Sequence, residues 1–88
     1  MRERDVEKYL VARVEKLGGE CWKWNGRLGV PDRIVLLSGG RVIFVEVKTD
    51  GGRLSKMQLW THRKLTGLGM DVVVVWSKED VDRLMESV

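Results

Sequence analysis

The spacing of apolar residues along the chain predicts seven secondary-structure elements. Apolar residues recur at helical spacing in residues 2–17, and Gly18-Gly19 then ends that helix. Residues 20–25 alternate between polar and apolar side chains, which is typical of a strand, and strands are also predicted at 32–37 and 41–48. Ser38-Gly39-Gly40 is a hairpin turn between the last two. The continuous apolar run at 72–76 predicts a strand covered on both faces.

Two serines mark the starts of the remaining helices. Ser55 is followed three residues later by Gln58, which fits a capping box for a helix that runs to about residue 65. Ser77 begins the last helix. The apolar stripes predicted for the first and last helices consist of Val6, Leu10, Val14 and Leu17, and of Val81, Leu84, Met85 and Val88.

The element order therefore predicts an α/β fold with a mixed sheet. A helix precedes three strands, and then a helix, a strand and a helix follow. An antiparallel meander with a helical crossover to the last strand gives an α+β arrangement with helices on the faces of the sheet. The length of 88 residues predicts one domain over residues 1–88, since chains divide into domains well above this size.

Composition narrows the possible chemistry. The chain is 43% hydrophobic and 33% charged, as expected for a globular protein, and it has no apolar run of the roughly 18 residues needed to span a bilayer. The charged start is unlike a signal peptide, so a cytoplasmic location is expected. One cysteine and one histidine exclude a disulfide framework and a zinc site. Any chemistry must then come from carboxylates, lysine or arginine.

Positive charge is concentrated in the middle of the chain. Residues 21–64 contain nine basic and three acidic residues, whereas the two ends together contain seven basic and ten acidic residues. A basic centre between acidic ends indicates a polyanionic partner, although charge excess alone is more typical of a solvated surface.

The three acidic or basic groups of greatest interest lie on two neighbouring predicted strands. Glu46 and Lys48 are two residues apart, so their side chains point to the same face. A three-residue turn would pair Leu37 with Arg41 and would therefore place Asp32 opposite Glu46, with β-carbons about 5 Å apart. An even-length turn would place these two acids on opposite faces unless a bulge intervened.

Two carboxylates this close repel each other, and a divalent cation relieves the repulsion. Carboxylate oxygens suit a hard ion such as Mg²⁺ or Mn²⁺, which can polarise a phosphate and lower the pKa of a bound water. Lys48 could then orient the attacking water or stabilise charge on the phosphate. Pro-Asp and Glu-x-Lys are each common at strand ends without any function. Their combination at hairpin spacing within a basic segment favours a functional site.

These residues resemble a known nuclease signature. Pro31-Asp32 followed by Glu46-Val47-Lys48 is similar to the PD-(D/E)xK motif. The longer strings Gly29-Val30-Pro31-Asp32-Arg33, Glu46-Val47-Lys48-Thr49 and Arg53-Leu54-Ser55 leading to Gln58 resemble the VRR-NUC family of virus-type replication-repair nucleases. The resemblance covers nearly the whole chain. It implies a restriction-endonuclease-like core, which agrees with the order α-β-β-β-α-β-α.

The resemblance also implies roles for individual residues. Asp32, Glu46 and the backbone carbonyl of Val47 would be metal ligands, and Lys48 would be the catalytic lysine. Glu7 on the first helix would correspond to the family's N-terminal acid and would be a further candidate ligand, although it is equally typical of an ordinary helix flank.

The second helix and the basic segment supply the remaining candidates. Gln58 would be the family's catalytic helix glutamine, a role compatible with its place in the capping box. His62 is expected at the surface. Trp22, Trp24 and Trp60 could stack on unpaired bases, although Trp24 and Trp60 are expected more in core or dimer packing. The candidate phosphate contacts are Arg53, Lys56, Arg27, Arg33, Arg63 and Lys64.

The resemblance implies a metal-dependent endodeoxyribonuclease that uses Mg²⁺ or Mn²⁺ and no small-molecule cofactor. Family members of this size resemble enzymes that resolve four-way (Holliday) junctions as homodimers in DNA repair, which implies branched DNA as substrate and a bacteriophage or bacterial origin. Nuclease activity on flaps, nicks or duplex DNA is the alternative within enzymes. A non-catalytic DNA-binding module and a metal-stabilised structural protein are the alternatives outside them.

Overall fold

The computed structural model describes residues 2–88 and contains the seven predicted elements in the predicted order. No helix over these residues is both long enough and apolar enough to cross a membrane. The elements are α1 (Glu3–Lys16), β1 (Glu20–Lys23), β2 (Arg33–Leu37), β3 (Arg41–Val47), α2 (Lys56–Gly67), β4 (Asp71–Val75) and α3 (Lys78–Ser87).

The four strands form one mixed sheet in the order β1-β2-β3-β4. β1, β2 and β3 are a consecutive antiparallel meander, and β4 lies parallel to β3 after the α2 crossover. A single turn of 3₁₀ helix, Ser38–Gly40, links β2 to β3, and its two glycines have positive φ values of 81° and 76°. Leu37 pairs with Arg41 as predicted, so the three-residue turn sets the register of the hairpin.

The sheet separates two environments. One face contributes Cys21, Val35, Ile43, Val45, Val47 and Val75 to a buried apolar core, which α1 and α3 cover with Val6, Leu10, Val14, Val81, Leu84 and Met85. The opposite face is covered by α2, whose buried residues are the polar Thr61 and His62. Glu46 of β3 is buried on this second face. The fold therefore buries its polar groups beneath α2 and keeps its apolar core beneath α1 and α3.

Three details differ from the sequence prediction. Leu17 is the C-cap residue of α1, beyond the last helical turn. It is 51% exposed and does not continue the buried stripe of the helix. Val88 lies beyond α3 and is also exposed. β4 is an edge strand, so residues 72–74 are half-buried and only Val75 is fully buried.

Candidate active site

The β2–β3 hairpin places Asp32 beside Glu46. Arg33 pairs with Val45, and the same register continued by one residue brings Asp32 opposite Glu46, as predicted. The Val47 backbone N–H donates a hydrogen bond of 2.8 Å to Asp32 Oδ2. The Asp32 carbonyl oxygen accepts a hydrogen bond of 3.1 Å from the Trp24 backbone N–H. Asp32 is therefore fixed between the start of β2 and the end of β3.

Glu46 is a buried carboxylate that three polar side chains surround. Its side chain is 2% exposed. Gln58 Nε2 donates a hydrogen bond of 3.2 Å to Glu46 Oε2, and Lys48 Nζ lies 3.9 Å from the same oxygen. His62 Nε2 lies 3.6 Å from the other oxygen, Oε1. Two of these neighbours come from α2, so the helix that crosses the polar face of the sheet also encloses the carboxylate.

The environment strongly disfavours a charge on Glu46. Burial raises its pKa to about 8, and a hydrogen bond and electrostatic repulsion from Asp32 act in the same direction, while Lys48 partly opposes them. A buried carboxylate that is protonated near neutral pH is a frequent feature of functional sites, because chemistry there requires a perturbed group.

His62 is buried, and the expectation that it lies at the surface is wrong. It is 7% exposed, because it is four residues after Gln58 and therefore lies on the same side of α2. Burial lowers the pKa of His62, and the Lys48 charge adds to this effect, whereas the Asp32 charge opposes it. The distance of 3.6 Å to Glu46 would permit an ion pair, but the pKa shifts of both groups favour their neutral forms. We therefore interpret the contact as one between neutral groups.

The pair of carboxylates fits a hard divalent cation. Among the polar atoms described, Glu46 Oε1 and His62 Nε2 are buried without a hydrogen-bond partner, which is costly unless a further group satisfies them. Within residues 2–88, no cluster of three His, Cys, Asp or Glu side chains could hold a metal. Asp32 and Glu46 would therefore be the carboxylate ligands, and Mg²⁺ commonly uses only one or two carboxylates together with water and phosphate oxygens.

Glu7 does not join these carboxylates, which favours its alternative role as an ordinary helix-flank residue over that of a metal ligand. Its Oε2 accepts a hydrogen bond of 2.6 Å from Arg33 Nε. Arg33 follows Asp32 along the strand, and its side chain points to the α1 face of the sheet, where it also donates to the Cys21 carbonyl oxygen. The Arg33 side chain, a candidate phosphate contact, is 16% exposed and engaged in this ion pair.

Among the acids of α1, the exposed Glu3 has a weak electrostatic effect on Glu46. It lies in the first turn of the helix, and its charge makes a small contribution to the raised pKa of Glu46. Glu3 was not among the predicted site residues. The signal that could have found it is the spacing of four residues from Glu7, which places both acids on one side of α1.

Gln58 serves both the helix and the site, as its position predicts. Its side-chain Oε1 accepts a hydrogen bond of 2.9 Å from the Ser55 backbone N–H, and the Ser55 hydroxyl accepts one of 3.1 Å from the Gln58 N–H. This is the predicted capping box. The amide nitrogen of the same side chain remains free to donate to Glu46. The start of α2 is thereby tied to the carboxylate.

The loop between β3 and α2 is attached to the edge of the sheet. Trp76 Nε1, directly after β4, donates a hydrogen bond of 2.9 Å to the Gly52 carbonyl oxygen. Arg53 is exposed in this loop beside Gly52. The other exposed candidates for phosphate contact lie in the loop before β2 and along α2, and they are Arg27, Lys56, Arg63 and Lys64.

Gly29 brings the loop before β2 against α2. Its φ is +82°, and a Cβ at this position would lie 2.7 Å from Met57 Cγ and 2.8 Å from Thr61 Oγ1. Gly39 has nearly the same backbone conformation, with a φ of +81°, but no atom lies within 4 Å of the corresponding Cβ position. Both glycines therefore have a left-handed backbone conformation, but only Gly29 is packed closely against α2.

Alanine at these two glycines should have unequal effects on stability. Gly39→Ala should lower the free energy of unfolding by about 1–2 kcal/mol, the cost of a side chain in the left-handed conformation. Gly29→Ala should lower it by about 1–3 kcal/mol more, because the methyl group also overpacks the contact with α2. Urea unfolding of both variants measures the difference. Equal losses would show that α2 does not approach the loop as closely as described.

Comparisons with known proteins identify the family of this chain. The model of the VRR-NUC domain family matches residues 4–79. A protein of Acyrthosiphon pisum secondary endosymbiont phage 1, named "Putative nuclease p44", is 44% identical, and the match covers 90% of this chain and 87% of the phage protein. A solved structure described as a VRR_NUC domain has a TM-score of 0.87 and 39% identity, and the match covers 96% of this chain and 94% of that one. The chain therefore belongs to the VRR-NUC family of nucleases.

Proposed function

We propose that this protein is a divalent-metal-dependent endonuclease that hydrolyses phosphodiester bonds in branched DNA, with residues 1–88 acting as one nuclease domain. The observation that carries the proposal is the buried Glu46 carboxylate beside Asp32, with Lys48 Nζ 3.9 Å away and one carboxylate oxygen without a partner. Family membership supports nuclease chemistry, and the basic centre of the chain supports a nucleic-acid substrate.

Asp32 and Glu46 would hold the metal, with the Val47 carbonyl oxygen as a further ligand. Mg²⁺ or Mn²⁺ bound there would supply a Lewis acid for the phosphate and a means of lowering the pKa of a water. Gln58 would hold Glu46 in place through its amide, and the deprotonation of Glu46 would accompany metal binding.

Lys48 is the residue proposed to act on the reacting phosphate. It follows Glu46 on the same face of β3, and its side chain is 18% exposed, so its ammonium group lies between the buried carboxylate and solvent. A fixed positive charge at this position would stabilise the negative charge that develops on the phosphate, or would orient the attacking water.

The proposed substrate is a four-way DNA junction, and the proposed active form is a homodimer. A small protein with one site per chain can make paired cuts only if two copies present their sites together, and a two-fold dimer matches the symmetry of a junction. Such an enzyme would work in DNA repair or replication in the cytoplasm of a bacterium. The phage origin of the similar protein is consistent with that setting.

Cleavage of a labelled synthetic junction tests the proposal. The same arm sequences should be presented as a four-way junction, a flap, a nicked duplex, an intact duplex and a single strand, each with Mg²⁺, Mn²⁺ or EDTA. We expect cutting that requires the metal and is fastest on the junction. Fastest cutting of a flap or nick would instead identify the alternative substrate, and cutting in EDTA would contradict the metal mechanism.

The oligomeric state is tested separately by light scattering during size-exclusion chromatography. We expect a mass of twice the 10.1 kDa protomer at micromolar concentration. A stable monomer under the conditions in which the junction is cut would exclude paired cutting by a preformed dimer.

A further inference from the structure

A cleft lies between α2 and the loop before β2, on the same face of the sheet as Glu46. Its volume is about 300 Å³, which is within the range of small-ligand pockets. Its lining contains apolar, aromatic and basic side chains, and the principal lining residues are Trp24, Arg27, Val30, Trp60, Lys64 and Leu68.

Trp60 is the exposed aromatic wall of this cleft. Its side chain is 52% exposed, although a tryptophan normally buries most of its surface. Lys64 Nζ lies 5.4 Å from the centroid of the Trp60 ring, which is a cation–π contact. Trp24, in contrast, packs on Phe44 of the sheet, with 5.1 Å between the ring centroids.

The charge of the cleft favours a polyanion over a second copy of the protein. Arg27 and Lys64 line it, Lys56 lies beside Trp60 in the adjoining depression, and among the residues that the structure describes no carboxylate contributes to either lining. A two-fold dimer through this surface would place each patch against its own copy and would bring like charges together. A DNA strand presents the opposite charge and flat apolar bases.

The cleft and the active site share their supporting elements. Phe44, on which Trp24 packs, lies two residues before Glu46 on the same face of β3. Thr61 lines the cleft, and its neighbour His62 contacts Glu46. Gly29 fixes the loop against α2 through its close approach to Met57 and Thr61. A strand held in the cleft would therefore lie next to the proposed cutting site.

We propose that this cleft binds an unpaired base of the DNA substrate, which stacks on Trp60 while Arg27 and Lys64 contact the neighbouring phosphates. The inference rests on the proposed function, because it assigns the cleft to the strand on which that site would act. At the branch point of branched DNA the stacking between arms is interrupted, so a base pair there can open and present such a base. Base–aromatic stacking is independent of sequence, since every base has a flat π-face.

Binding measurements in EDTA test the cleft without requiring cleavage. The DNA probes are a blunt duplex and the same duplex with a short single-stranded tail at either its 5′ or its 3′ end. Trp60→Ala should weaken binding of a tailed duplex by about 5- to 150-fold, the loss expected for one stacked base, and should change binding of the blunt duplex by less than about twofold. Trp60→Phe should retain most of the affinity, because the ring can still stack.

Trp22 provides the matched control. It is 55% exposed, which is close to the value for Trp60. Its indole N–H, however, donates to the Glu20 carboxylate, and among the described residues no cation–π contact involves Trp22. Trp22→Ala should leave binding of both kinds of duplex unchanged. Circular dichroism of each variant confirms that it is folded.

Three results would overturn the proposal. They are an equal loss of affinity for tailed and blunt duplexes, no loss for either, and dissociation of a homodimer by Trp60→Ala with unchanged affinity for the tail.

Failure of this proposal can be told apart from failure of the proposed function. A wild-type protein that prefers tailed DNA through Trp60 but cuts nothing with Mg²⁺ or Mn²⁺ would keep the cleft and refute the nuclease. A wild-type protein that cuts DNA normally but does not prefer tailed DNA would keep the nuclease and refute the cleft.

Discussion

Replacement of Lys48 by alanine should slow DNA cleavage by about 10²- to 10³-fold, the usual loss when one group that stabilises developing charge is removed. The ammonium group of Lys48 lies 3.9 Å from Oε2 of the buried Glu46 carboxylate. Binding of DNA in EDTA should change by less than about threefold, because a single charge among many contributes little to binding of the phosphate backbone. Single-turnover cleavage and equilibrium binding, measured on the same junction, separate the two effects.

The matched control is Lys23→Ala. Lys23 is an exposed lysine whose side chain points to the opposite face of the sheet, where it lines a cavity with Arg33 and α1. This variant should cleave DNA as the wild type does. Full activity of Lys48→Ala, or a fall in its cleavage rate that a matching fall in binding entirely explains, would remove Lys48 from the chemistry.

Replacement of Glu46 by glutamine should abolish metal-dependent cleavage and yet stabilise the metal-free protein at alkaline pH. The pKa of Glu46 is raised from an ordinary value of 4.5 to about 8 in the folded protein. Between these two values the folded state holds a proton that the unfolded chain has released, so the free energy of unfolding falls as the pH rises through this window. Glutamine cannot lose a proton and removes that dependence.

The effect on stability should be measurable at alkaline pH. At pH 9 the metal-free Glu46→Gln variant should be more stable than the wild type by at least about 1 kcal/mol, the equivalent of one pKa unit. At pH 4 the two proteins should differ little. Addition of Mg²⁺ at pH 8 should stabilise the wild type and leave the variant unchanged, because binding requires the ionised carboxylate.

Glu86→Gln serves as the control for these stability curves, since Glu86 is exposed in α3. Its urea unfolding should follow the pH dependence of the wild type. The lowered pKa of His62 gives a contribution of the opposite sign below about pH 6.5, so the test is the difference between the two proteins. A stability difference between Glu46→Gln and the wild type that does not grow between pH 5 and 9 would contradict the account of Glu46 as a buried, protonated carboxylate.

Much of the fold was predictable because local signals and turn geometry agreed. The three-residue turn at Ser38–Gly40 fixed the hairpin register, and the alternation of β3 then determined that Glu46 shares a face with Lys48. The capping box at Ser55 gave the start of α2. These features depend on neighbours in the chain, so sequence alone contains them.

The parts of the site that depend on packing between distant segments were less predictable. Glu7 lies at the edge of an apolar stripe, and only the packing of α1 on the sheet determines that it meets Arg33. The strand alternation does contain a signal for this contact. Arg33 follows Asp32 directly, so its side chain must point to the opposite face of the sheet. His62 was likewise misplaced, although its spacing of four residues from Gln58 already put the two on one side of α2.

The central claim is that Asp32 and Glu46 together hold one divalent cation. Anomalous scattering from a crystal soaked in Mn²⁺ tests it most directly, with a crystal of the Glu46→Gln variant soaked in parallel. The account predicts a single strong peak bonded to both carboxylates in the wild type and no peak there in the variant. A wild-type crystal with no ion between Asp32 and Glu46, or with one bound equally well in the variant, would contradict it.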